Sequence, residues 1–270
     1  MNILNRLTSY SPNLKQSWML ILAIILFQAI TDIITRIAMH VTGIKLNEWG
    51  RLSVELLAYA MLAAFVIRFV KCSKDAQVTP LRQSPIFWIF LVPFTLSISL
   101  MTEPLTMWIP MPDSLKQMFA EMFQNNLSAF LSVVVIAPVC EEWLYRGIIL
   151  KGLLTHYSPR KAIVWSAAIF GLLHANPWQS VSAFFIGLAI GWIYWRTRLL
   201  RHCIFMHAAN NAVVFALVLL FQEASSDATL ADIAGGYYIY AILLAVCIIT
   251  AIVIKKTMIC CIANEELQAL

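Results

Sequence analysis

Two adjacent carboxylates and an arginine, Glu141, Glu142 and Arg146, interrupt the otherwise apolar stretch VVVIAPVCEEWLYRGIIL at positions 133–150. A charged side chain at the centre of a membrane helix costs about 2.5–3.5 kcal/mol on insertion scales, so three of them call for pairing, a wet cavity or chemistry. Helical geometry sorts them. Glu142 and Arg146 stand at i and i+4 with the acid first, the favourable order for an ion pair, whereas Glu141 is turned about 100° away from Glu142. Glu142 is therefore expected to be neutralised inside its own helix, and Glu141 to face partners from other helices. Two further i,i+4 pairs offer them: Phe170 and His174 in FGLLH, and His207 and Asn211 in HAANN. Glu141 with His174 can polarise a water, and His207 with Asn211 can donate hydrogen bonds to the oxyanion formed when that water attacks a carbonyl. Arg146 then holds Glu142, and Glu142 holds the local geometry. This scheme needs no cofactor, yet Glu141, His174 and His207 would also make the His₂Glu set of a zinc site with one open position.

The elements that must position these residues follow from composition. Of the 270 residues 61% are hydrophobic and 12% charged, with a mean hydropathy of +0.78. That is the profile of an all-α polytopic membrane protein, with apolar runs long enough to cross a hydrocarbon core of about 30 Å as helices. Eight runs are expected: 17–39, 54–70, 86–102, 127–150, 162–176, 179–195, 203–221 and 237–254. The fifth and sixth, joined only by ANPWQ, should form a helical hairpin, because Pro177 cannot continue a hydrogen-bonded helix. Leu115, Met118, Phe119 and Met122 share one face of 112–123, which suits a short helix along an interface. The chain then reads as one membrane-embedded unit: three helices and an interfacial helix over 1–126, catalytic core helices over 127–222, and a last helix with a tail over 223–270. Asp32 and Arg36, at i,i+4 in the first run, are expected to be an ion pair facing the bundle.

Orientation follows from the lysines and arginines. Fifteen lysines and arginines, Arg6, Lys15, Arg68, Lys71, Lys74, Arg82, Arg146, Lys151, Arg160, Lys161, Arg196, Arg198, Arg201, Lys255 and Lys256, fall on one side of the alternation, while only Lys45, Arg51 and Lys116 fall on the other, together with Glu103, Asp113, Glu121, Glu223, Asp227 and Asp232. Both termini are expected to be cytoplasmic. The net charge of +5 reads as this topology signal, so no nucleic-acid partner is expected. Six cysteines without paired metal-ligand spacing argue against a disulfide framework.

The order Glu-Glu-x-x-x-Arg at 141–146, Phe-x-x-x-His at 170–174 and His-x-x-x-Asn at 207–211, each in a hydrophobic helix, resembles the CPBP intramembrane proteases. That family includes CAAX prenyl endopeptidases and bacterial bacteriocin-processing or self-immunity proteins. The resemblance covers roughly 127–215. It implies an eight-helix fold with a cavity in the membrane, with Glu141 and His174 activating water and His207 and Asn211 stabilising the oxyanion. Nothing in the first 85 residues matches it.

The expected activity is hydrolysis of a peptide bond in a membrane-anchored or lipidated peptide or protein, with the bilayer as the other partner. Two other classes stand beside it. A proton-coupled transporter would also line its path with acids and histidines, but the duplicated halves common among transporters are absent from the sequence. A non-catalytic immunity or scaffold protein of the same fold would have no chemical need for the complete polar set. The expected location is the plasma membrane for a bacterial chain and the endoplasmic reticulum membrane for a eukaryotic one. Straight, level helices would leave His174 about 20 Å and His207 about 9 Å above the cytoplasmic face. Tilt would close the gap, but the assignment expects a deeper start to the fifth helix and a water-filled vestibule on the cytoplasmic side.

Overall fold

A computed structural model describes residues 11–69, 87–124, 126–220 and 230–268, and every regular element among them is helical. The order is α1 (Leu14–Thr42), α2 (Glu48–Phe69), α3 (Phe87–Thr102), α4 (Asp113–Met122), α5 (Leu127–His156), α6 (Pro159–Leu172), α7 (Pro177–Thr197), α8 (Leu200–Leu220), the short α9 (Leu230–Ile233) and α10 (Tyr237–Gln268). Each apolar run of the sequence coincides with one of the long helices. Six of these are long and apolar enough to cross a membrane: α1, α2, α3 with the turn that follows it, α5, α8 and α10. The chain is an all-α integral membrane protein. Arg6, Lys71, Cys72, Lys74, Arg82, Glu223 and Asp227 lie outside the described residues.

Local chemistry sets the helix ends. Asn13 and Gln16 form a reciprocal capping box at the start of α1, and Gly43 ends it at φ 68°, where its N–H reaches Met39 O. Asn126 caps α5 through Ala129 N, and Asn176 caps α7 through Gln179 N with Pro177 at the first helical position.

The core is built around α5. Leu144, Ile148, Ile149, Leu150 and Leu153 are buried against Ala162, Ile163 and Ile169 of α6, Ile186, Ile190 and Ile193 of α7, and Cys203 and Met206 of α8. Helices α6 and α7 form the expected hairpin, and glycines allow it to be tight. A Cβ on Gly171 would lie 2.8 Å from Ser180 O, and one on Gly187 3.2 Å from Ala167 Cα. Where lipid tails are as apolar as leucine, such small-residue contacts carry helix association. The outer faces of α1 and α10 expose Leu22, Ile33, Ile37, Leu243, Ile249 and Ile252, as lipid-facing surfaces do.

Two expectations shift. Helix α4 is present, but Phe119, Met122 and Phe123 pack on Val134 and Phe215, so it docks on the bundle. Asp32 and Arg36 do pair, at 2.7 Å, yet with 57% and 73% side-chain exposure they point away from the bundle.

Candidate functional site

The site begins with an irregularity in α5. Residues Leu131–Ile136 and Trp143–Leu150 are π-helical, on either side of an α-helical Ala137–Glu142. Pro138 accounts for the first of these. The N–H of Ala137 reaches back to Ser132 O, and the next donor in a π ladder, the one owed to Val133 O, would be residue 138, which has none. Asn211 Nδ2 supplies it, donating to Val133 O at 2.9 Å. One proline thus creates a carbonyl that fixes an asparagine from α8.

Past Pro138 the helix delivers the glutamate pair as its spacing predicts. Glu142 and Arg146 are fully buried and joined Nη1 to Oε1 at 2.8 Å. The other arm of the guanidinium donates to Gly187 O at 3.3 Å, and its carbon lies 4.7 Å from the centroid of the Phe170 ring. The same Glu142 Oε1 receives His207 Nδ1 at 2.8 Å, a bond that spacing along one helix could not reveal. Because a carboxylate only accepts, Nδ1 carries the proton, and Nε2 is the ring nitrogen turned toward Glu141 Oε2, 4.0 Å away. Glu142 therefore does more than hold local geometry: it orients the histidine of α8.

His174 does not lie within α6, as the span 162–176 implied. The helix ends at Leu172, and His174 sits in the hairpin turn just before Ala175, which has φ 54°. Its Nδ1 donates to Phe170 O at 3.0 Å, leaving Nε2 as the acceptor. Phe170 stands edge-on between the two histidines, with ring centroids 5.2 Å from His174 and 5.6 Å from His207. Both histidines thus reach one phenylalanine ring, although they come from the tip of the hairpin and from α8.

Glu141, His174, His207 and Asn211 all line one cavity of ≈ 580 Å³. Glu141 and His174 also line a second one of ≈ 170 Å³, shared with Gln28, Tyr59 and Tyr145. Of the two aromatic neighbours of the acidic pair, Tyr145 reaches this second cavity, whereas Trp143 packs against the core. His156 bonds to Ser11 O, and His202 is buried between Phe87 and Trp88, neither lining these cavities.

Sequence reasoning missed two residues of the larger cavity. Glu55 of α2 accepts from Ser132 Oγ at 2.8 Å and faces the same space as Glu141. Its signal was present as an acid near the start of an apolar run, but Arg51 four residues before it offers an ordinary local pairing. Asn210 was overshadowed by Asn211 and the His-x-x-x-Asn spacing.

Chemically, the cavity holds a carboxylate and an imidazole acceptor able to take a proton from water, beside an amide with one N–H still free. Glu141, His174 and His207 are suitable metal ligands in kind, and both histidines have Nδ1 tied to an acceptor, as metal-binding histidines do. Among the described residues, however, no three His, Cys, Asp or Glu side chains converge closely enough to hold a metal ion.

Residues 123–213 match the sequence profile of the family described as Type II CAAX prenyl endopeptidase Rce1-like. No curated protein and no solved structure matches the chain. The matched segment runs from the end of α4 to the middle of α8 and contains all three motifs. Through residues 123–213, about a third of its length, the chain is similar to the Rce1-like type II CAAX prenyl endopeptidases, a likeness that supports an intramembrane protease of the CPBP/CAAX type.

Proposed function

We propose that the protein is a glutamate-dependent intramembrane endopeptidase that hydrolyses a peptide bond in a membrane-anchored or lipidated peptide. The observation that carries this reading is the division of labour in the glutamate pair. Glu142 is consumed by Arg146 and His207, while Glu141 stays 24% exposed on the cavity shared with His174. Glu141 takes a proton from water, and His174 Nε2 accepts the water's second hydrogen bond and aims it. The water attacks the scissile carbonyl. The second N–H of Asn211 Nδ2 and His207 Nε2 donate to the oxyanion. Donation from His207 requires the ring to carry both protons, and Glu141 and Glu142 flank that cation from two sides. Glu141 then returns its proton to the leaving amine, so protons balance over the cycle.

The test compares peptides from membranes of cells expressing the wild type and Glu141→Gln. Fragments cut near a membrane anchor are expected only with the wild type. Matching fragment patterns from two equally abundant, folded proteins would sink the proposal. Because the proposed water activation uses only protein groups, purified protein treated with EDTA or 1,10-phenanthroline is expected to keep its activity. Loss on chelation, restored by zinc, would favour Glu141, His174 and His207 as metal ligands instead.

A further inference from the structure

Asn210 lies beside Asn211 in sequence but has different surroundings. It is 8% exposed and lines both the ≈ 580 Å³ cavity and a second chamber of ≈ 270 Å³. Its Nδ2 donates to Asn211 Oδ1 at 3.4 Å. Turning the amide over would set two carbonyl oxygens against each other, so the remaining polar atom is Oδ1, which has no hydrogen-bond partner among the described residues. A buried carboxamide oxygen left unpaired is costly, whereas the oxygen of neighbouring Asn211 is paired by Asn210 itself. The second chamber is lined by Leu96, Leu100, Val213 and Leu217, with Glu103 and Thr106 among its polar residues, and most of its surface is apolar. Asn210 therefore stands where a polar, water-activating space meets an apolar one.

We propose that Asn210 is a substrate-positioning residue whose Oδ1 accepts a main-chain N–H of the peptide where it passes from the catalytic cavity toward the apolar chamber. An oxygen that can only accept selects a donor, and a peptide brought in to have its carbonyl attacked always has a backbone N–H close by. Asn211 then faces the substrate C=O and Asn210 a neighbouring N–H, so the two amides together fix the register of the chain. The apolar chamber takes the hydrophobic side chain or anchor beyond that point. This rests on the peptidase reading above.

The test uses the full-length protein in detergent and a fluorescent peptide, S-farnesylated on the cysteine of a C-terminal Cys-Val-Leu-Ser sequence. N-methyl groups are placed one at a time on the backbone nitrogens near the cysteine. Binding is measured to Glu141→Gln, which leaves the probe uncut, with and without Asn210→Ala. One N-methyl position is expected to weaken binding about fivefold when Asn210 is present and to have no effect with Asn210→Ala. Asn210→Asp, which keeps an acceptor oxygen, is expected to retain the penalty, a result that a packing role alone would not give. If the N-methyl penalties are the same with Asn210 and with Asn210→Ala, the inference is overturned while the peptidase reading stands. If the wild type neither binds nor cuts the probe and Glu141→Gln does not bind it, the peptidase reading of the site for this substrate class falls, and the inference falls with it.

Discussion

Glu142 carries no proposed step of the reaction, yet it determines where two other residues stand. Its buried Oε1 accepts from Arg146 in its own helix and from His207 in α8, so the three form one network, while Oε2 has no hydrogen-bond partner among the described residues. Removing one member of a buried charged network leaves the others uncompensated, at a cost on the order of 3–5 kcal/mol. Arg146→Met is therefore expected to lower the melting temperature of detergent-solubilised protein markedly and to abolish cleavage with it, whereas Glu141→Gln should abolish cleavage and leave the melting temperature nearly unchanged. A normal melting temperature for Arg146→Met would show that the ion pair is dispensable. The ion pair was legible in the sequence because i,i+4 geometry is local. The bond from His207 to Glu142, 65 residues apart, was not, because it depends on how α8 docks. Glu55 and Asn210 were illegible for the same reason.

Pro138 shows what an element does that its residues do not do singly. A proline in a helix interior costs roughly 3 kcal/mol, and here it opens the ladder, turns 131–136 into a π segment and frees Val133 O for Asn211. Pro138→Ala restores an N–H, and the segment is expected to close toward a regular α-helix. Closing it rotates Glu141 relative to α8 and takes from Asn211 its backbone anchor. The expected result is a variant at least as stable as the wild type by thermal unfolding but at least tenfold slower in cleavage. Equal activity would show that the π segment does not set the geometry of Glu141. The sequence marked the helix, and the hairpin of α6 and α7 was readable from Pro177, whereas Pro138 was passed over within the run 127–150. The π segments were not, since hydrophobic periodicity does not separate 3.6 from about 4.4 residues per turn over so short a stretch.

At the level of the whole molecule, the hairpin explains how His174, proposed to aim the water, can sit in a turn. Helix α6 has 14 residues, about 21 Å at 1.5 Å per residue, which falls short of a hydrocarbon core of about 30 Å. A leg of that length entering at the membrane face would place its tip within the hydrocarbon core, where a non-helical backbone is tolerated only beside protein or water, and His174, Gln179 and Trp178 at the tip line the cavity. Taking 162–176 as one of eight spans hid this, because hydropathy reports that a segment is apolar and not how far it reaches. The hairpin also leaves topology parity intact. Whether its two legs cross fully or turn back, they return the chain to the side it left, and the six remaining candidate spans are an even number. Both termini are therefore expected on one face, and the lysine and arginine bias makes it the cytoplasmic one. With the other cysteines replaced, Cys260 or Cys261 near the end of α10 and a cysteine introduced at Lys15 should both resist a membrane-impermeant maleimide in intact cells and react once the membrane is opened. Labelling of only one of the two positions in intact cells would break the parity argument and with it the reading of α6 and α7 as a returning hairpin. Labelling of both would keep the parity and reverse the orientation.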